Sequence, residues 1–245
     1  GLACSGSADA QAAYLRRAIE ASPARALPSL ALSRLEARAG NGAAALRLQT
    51  MADRLDPNGS ATQIRLAALA RDQLRSVEFL DHARRAVRLA PDQRLASALQ
   101  LAAVVTSDPA VLASLVPSNP RHQLMAAREM ERLGLDDAAS VQYAAASLAD
   151  PLSTPIHDDH VRFLLARGRR EAAIDLIRVR LSQPGDTRRE RLLRLQLSQL
   201  LIDEKRFDEA ADVIDQVDAV EPRSGGVLEQ RAVLALATHG GCAVT

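Results

Sequence analysis

Ala52-Asp53-Arg54-Leu55-Asp56-Pro57 returns 34 residues later as Ala86-Val87-Arg88-Leu89-Ala90-Pro91. The same interval separates Pro23 from Pro57 and Pro117 from Pro151, with Pro184 following 33 residues on and Pro222 38 after that. Proline cannot continue a helix, because it lacks an N–H and its ring collides with the preceding turn. A break at a period near 34 therefore marks units of one size, and that period is a signature of stacked helical hairpins.

Counting back from the prolines fills in the unit. Alanine stands five residues before the break at 18, 52, 86 and 146, and twelve before it at 45, 139, 172 and 210. Gly40 and Gly134 stand seventeen before it, and Gly168 is one residue off that register. Small residues let paired helices approach closely, and a glycine supplies the left-handed residue that ends a first helix. Apolar spacing then predicts a first helix at 9–22 and hairpins at 28–55, 61–89, 93–115, 121–148, 154–181 and 187–220. A last helix at 226–238 lacks a partner. The third unit is degenerate, since only 26 residues separate Pro91 from Pro117, and a regular stack is expected to kink at 92–117.

These marks resemble the tetratricopeptide repeat, most plainly in Lys205-Arg206-Phe207-Asp208-Glu209-Ala210 and in the two Ala-x-Arg-Leu-x-Pro stretches. The likeness runs from about residue 9 to 238. It implies an all-α, right-handed α-solenoid of about six helix-turn-helix repeats, with residues 1–8 as a flexible tether and 9–245 as the solenoid. The family's large aromatics are mostly replaced here by Leu, Ala and Met, although Tyr143 and Phe207 occupy positions where relatives bury a large side chain.

The resemblance also implies binding in a concave groove lined by the first helices. Register places Arg34, Arg38, Arg71, Arg128, Arg132, Arg162 and Gln199 on that face. The implied partner is a peptide or protein surface. An arginine ladder also suits an acidic or uronic-acid-rich ligand, because guanidinium forks match carboxylates. The plainer reading of these arginines is a solvated face paired with neighbouring acids.

Composition removes other classes. The formal net charge is +1 and aromatics make up 2%, so neither a basic field nor a stacking platform for nucleic acid is present. Lys205 is the only lysine among 31 basic residues, a habit of GC-rich genomes or a choice of planar contacts. The two cysteines, Cys4 and Cys242, lie at opposite ends and are not expected to pair. Gly1-Leu2-Ala3-Cys4-Ser5-Gly6-Ser7 looks like the end of a bacterial lipoprotein signal, which makes Cys4 a lipidation candidate and a lipid the one expected membrane tie. His157-Asp158-Asp159-His160 is the one metal-like cluster. It is read as a helix start whose acids favour the dipole, with no metal or cofactor expected.

No phosphate loop or ordered nucleophile motif occurs, and no enzyme is expected. The reading is a non-catalytic scaffold that assists assembly of a bacterial envelope complex such as a pilus, secretion machine or exopolysaccharide exporter. Its expected place is periplasmic or anchored at the outer membrane. The alternative is a cytoplasmic regulatory or sensor module of a larger protein.

Overall fold

The computed structural model describes residues 2–239 except 184 and 223, with backbone only for 2–7 and 239. Fourteen helices and no strand occur among the described residues. The side chain of Cys4, all of Cys242 and the period mark Pro184 lie outside the described residues.

Two units divide within α9. Unit 1 (Gly1–Ala146) holds α1 (Leu2–Ala21), α2 (Ala26–Arg38), α3 (Gly42–Leu55), α4 (Ser60–Asp72), α5 (Ser76–Leu89), α6 (Pro91–Ala103), α7 (Pro109–Ala113), α8 (Pro120–Arg132) and most of α9 (Asp136–Ala149). Unit 2 (Ser147–Thr245) holds α10 (Thr154–Ala166), α11 (Arg170–Leu181), α12 (Thr187–Asp203), α13 (Phe207–Val220) and α14 (Gly225–His239). In unit 1, α2 packs on α3 and α4 on α5, while α2, α4, α6 and α8 contact one another in succession. In unit 2, α10 packs on α11, α12 on α13, and α14 rests on both α12 and α13.

Outside the α6–α7 connection, the turn inside each hairpin has one chemistry. Gly40, Leu74, Gly134, Gly168 and Lys205 all take positive φ, from 59° to 82°. At each, that residue's N–H reaches the carbonyl three residues back, and the next N–H reaches five residues back, as in Leu74 to Arg71 (2.9 Å) and Arg75 to Ala70 (2.9 Å). These paired bonds form the Schellman closure, which satisfies carbonyls that a helix end leaves open. The second helix starts two residues after each left-handed residue. The core position falls five residues after it, at Ala45, Phe79, Ala139, Ala173 and Ala210, all fully buried or nearly so.

That spacing corrects the fifth repeat. Counting from proline selects Ala172, which is exposed; counting from Gly168 selects Ala173, which is fully buried. Helix α11 has 12 residues where α3, α5, α9 and α13 have 14, so glycine keeps the register there and proline loses it.

The third unit is short in its second helix. Asp108 caps α7 by accepting from the Ala110 N–H at 2.9 Å, but α7 spans only 5 residues. A cleft of about 400 Å³ between α5 and residues 114–117 remains where a full second helix would lie. Helix α1 starts at Leu2, so residues 2–8, read from sequence as a tether, have helical backbone. The alanines at 3, 8, 10, 12 and 13 suit that extension.

Tyr143 is fully buried and its hydroxyl donates to Glu131 at 2.8 Å, while Phe207 is half-buried. A buried polar network joins α3, α4 and α5. Gln63, fully buried, donates to Asp53 Oδ1 (2.7 Å) and to the Pro57 carbonyl (3.1 Å), and its Oε1 lies 2.8 Å from His82 Nδ1. Burial is the largest influence on His82 and lowers its pKa, only partly offset by Asp53.

Candidate functional site

In unit 1, α1, α2 and α4 enclose a cavity of about 590 Å³. Leu15, Leu27, Leu30, Ala31, Leu35, Ala68 and Leu69 supply its aliphatic surface. Arg34, Arg65, Arg71, Asp72 and Gln11 supply the polar groups. The helical period brings residues three and four apart to one face, so Leu27, Leu30, Ala31, Arg34 and Leu35 share a stripe of α2.

Two of the arginines anticipated from sequence, Arg34 and Arg71, meet in this cavity. They differ electrostatically. Arg71 Nη2 lies 2.6 Å from the Asp72 carboxylate, which neutralises it locally. Arg34 is exposed and has no ion pair among the described residues, and Arg65 on α4 is alike in both respects. The cavity thus carries two uncompensated guanidinium groups over an apolar floor.

Arg65 was not anticipated, yet the period points to it. Shifting α2 by 34 residues maps Ala31 onto Arg65 and Arg34 onto Ala68. The two helices exchange alanine and arginine at the same pair of positions. The same shift maps Arg38 onto Asp72, so Arg71 stands one position off.

The other anticipated residues are placed apart. Arg38 is exposed and does not line the cavity. Arg132 on α8 holds Glu129 at 2.5 and 2.9 Å, and Glu129 also accepts from Gln100 of α6 at 2.8 Å. These contacts hold the Glu129 pKa below the usual carboxylate range, the hydrogen bond from Arg132 being the largest cause. Arg128 on the same helix is exposed but has a partner of its own. In unit 2, Arg162 lies 3.6 Å from Asp159, and Gln199 donates to Asp203 (2.8 Å) while accepting from Gln230 of α14 (3.3 Å).

The His157–His160 stretch differs from its reading as an acid-favoured helix start, because no acid falls in the first turn of α10. Asp158 instead pairs with Arg189 of α12, and Asp159 with Arg162. Both histidines are buried, and His160 Nδ1 lies 2.8 Å from Ser147 Oγ. Burial first, and His157 second, push His160 down to about 4. Among the described residues no group of three or more His, Cys, Asp or Glu is placed to hold a metal ion, and no helix is long and apolar enough to cross a membrane.

Turn register, Schellman closure and a 34-residue step define an all-α fold of repeated helical hairpins, similar in these marks to the tetratricopeptide repeat. No family model matches the chain, and no curated protein does. Among solved structures it is similar to YrrB, described as a TPR protein with an unusual peptide-binding site (13% identity, 89% of this chain and 97% of that one, TM-score 0.39). It is also similar to Pseudomonas aeruginosa pilF (15% identity, 95% and 92%, TM-score 0.37). A third is the Cut9 complex with Hcn1 from the APC/C (13% identity, 96% and 40%, TM-score 0.36).

Proposed function

We propose that the chain is a non-catalytic protein-interaction scaffold, and that the unit-1 cavity seats a peptide segment carrying both aliphatic and acidic side chains. The observation that carries this is the pair Arg34 and Arg65, uncompensated among the described residues and set over aliphatic groups. A guanidinium offers a planar fork to a carboxylate, and its attraction strengthens where apolar surface excludes water. The leucine-rich floor favours a peptide over a uronic-acid glycan, whose hydroxyls would lose their hydrogen bonds there. Selection of random 12-residue peptides displayed on phage tests the reading: bound sequences should pair Asp or Glu with Leu, Ile or Val. Enrichment of sequences without acids, or of none, contradicts it.

A lipid at Cys4 would tether such a scaffold to a bacterial envelope membrane, where it would assist assembly of a surface or secretion complex. Support for this is the Leu2-Ala3-Cys4-Ser5-Gly6-Ser7 stretch alone. Mass spectrometry of the native protein tests it, with diacylglyceryl thioether on Cys4 expected and an unmodified thiol fatal to it.

A further inference from the structure

Second helices in this chain run 12 to 14 residues, but α7 runs 5. Pro117 bars its continuation, because proline cannot sit inside a helix and it biases Val116 away from helical backbone. The shortfall of seven to nine residues amounts to roughly 10–14 Å of helix. The chain therefore does not fill its own third repeat. The cleft of about 400 Å³ that remains lies wholly in unit 1 and shares no lining residue with the cavity of Arg34 and Arg65.

Buried Val87 and Leu115 form the floor of this cleft, and half-buried Val116 and Pro117 stand beside them. Asp81, Arg84, Arg85 and Arg88 line the α5 side, at a spacing that puts all four on one helix face. Three cations thus face one acid. Arg84 Nη2 donates to Ser114 Oγ at 3.0 Å, and its Nη1 lies 3.6 Å from Asp81. Arg85 lies 3.3 Å from Asp53 Oδ1, an oxygen that already accepts from Gln63 at 2.7 Å. Arg88 is exposed and has no hydrogen bond or ion pair among the described residues.

We propose that this cleft docks an amphipathic helix of a partner protein, one that carries acids beside its apolar residues and stands in for the missing part of the third repeat's second helix. Its acids would meet Arg88 and Arg84, and its apolar side chains would lie against Val116 and Pro117. Charge complementarity selects the acids. An extended segment is disfavoured, because no strand occurs among the described residues to pair its backbone, whereas a helix satisfies its own.

The test is methyl NMR of the full chain with a stapled 12-residue helical peptide holding two leucines four residues apart, flanked by glutamates. Saturable shifts are expected at Val87, Leu115 and Val116. Shifts at Leu27, Leu30 and Leu35 report the Arg34 and Arg65 cavity separately, so the two sites cannot be confused. A twin with glutamines for glutamates, and a proline-interrupted version that cannot form a helix, should each bind the cleft at least about tenfold more weakly. Arg84→Glu/Arg88→Glu should abolish the cleft shifts. The peptide series on the unaltered chain decides the matter even where that variant fails to fold. Absent cleft shifts, or equal binding by the glutamine or proline version, overturn the inference. So do concentration-dependent shifts at the same methyls without peptide, which would make a second copy of the chain the occupant.

Discussion

Leu74 holds the place of Gly40 one repeat later, with φ at 59° against 82° and the same pair of backbone hydrogen bonds. A side chain in this conformation brings Cβ against the carbonyl and costs about 1–2 kcal/mol. Leu74 is 89% exposed, so it gains little packing in return. Leu74→Gly should therefore stabilise the chain by about 1 kcal/mol, read as a rise of roughly 2–4 °C in Tm. Lys205→Gly should act likewise in unit 2, where φ is 61°. Gly40→Ala should act in the opposite direction.

Register makes Ala172 and Ala173 a paired test. Ala173→Leu forces a larger side chain into a filled position and should cost about 1–3 kcal/mol by thermal or urea melting. Ala172→Leu, on the exposed neighbour, should stay within about 0.5 kcal/mol. A larger cost at Ala172 than at Ala173 would mean that the fifth repeat follows its proline rather than Gly168.

Gln63 uses its amide to satisfy Asp53, the Pro57 carbonyl and His82 together. Gln63→Leu keeps much of the volume but strips all three of a partner. The expected loss is about 3 kcal/mol in urea denaturation, the scale for buried polar groups left unpaired.

His160 gives the fold a pH dependence of defined sign. Its pKa falls from 6.5 to about 4 on folding, so between these values the unfolded chain binds more protons. Stability is fully present above the unfolded value and declines as pH falls from about 6.5 towards 4. The loss approaches roughly 3 kcal/mol, the free energy of a shift of this size. His160→Gln should flatten urea-derived stability across that window, while a slope unchanged by the substitution would assign it to other groups.

Most of the fold was legible because its punctuation is chemical. Proline ends second helices and glycine ends first ones, and together they located nearly every helix within a few residues. What escaped were places where another residue type does glycine's work. Leu74 and Lys205 carry no sequence sign of a left-handed conformation, since the surrounding hairpin imposes it. Of the arginines read from sequence, Arg34 and Arg71 line the unit-1 cavity. Arg34 was placed on its face, but Arg65 required carrying the repeat offset across a change of residue type. Whether an arginine is already engaged, as Arg71 and Arg132 are, depends on side-chain geometry rather than on spacing.

The central claim is that Arg34 and Arg65 capture acidic segments over the aliphatic floor of unit 1. Its most direct measurement is the affinity of a display-selected acidic peptide, by fluorescence anisotropy, for the chain and for the Arg34→Glu/Arg65→Glu variant. The account predicts a loss of at least about a hundredfold with Tm unchanged, because both groups are exposed and hold no structural ion pair among the described residues. Binding that survives the double reversal within about twofold, in a variant that melts normally, would contradict it.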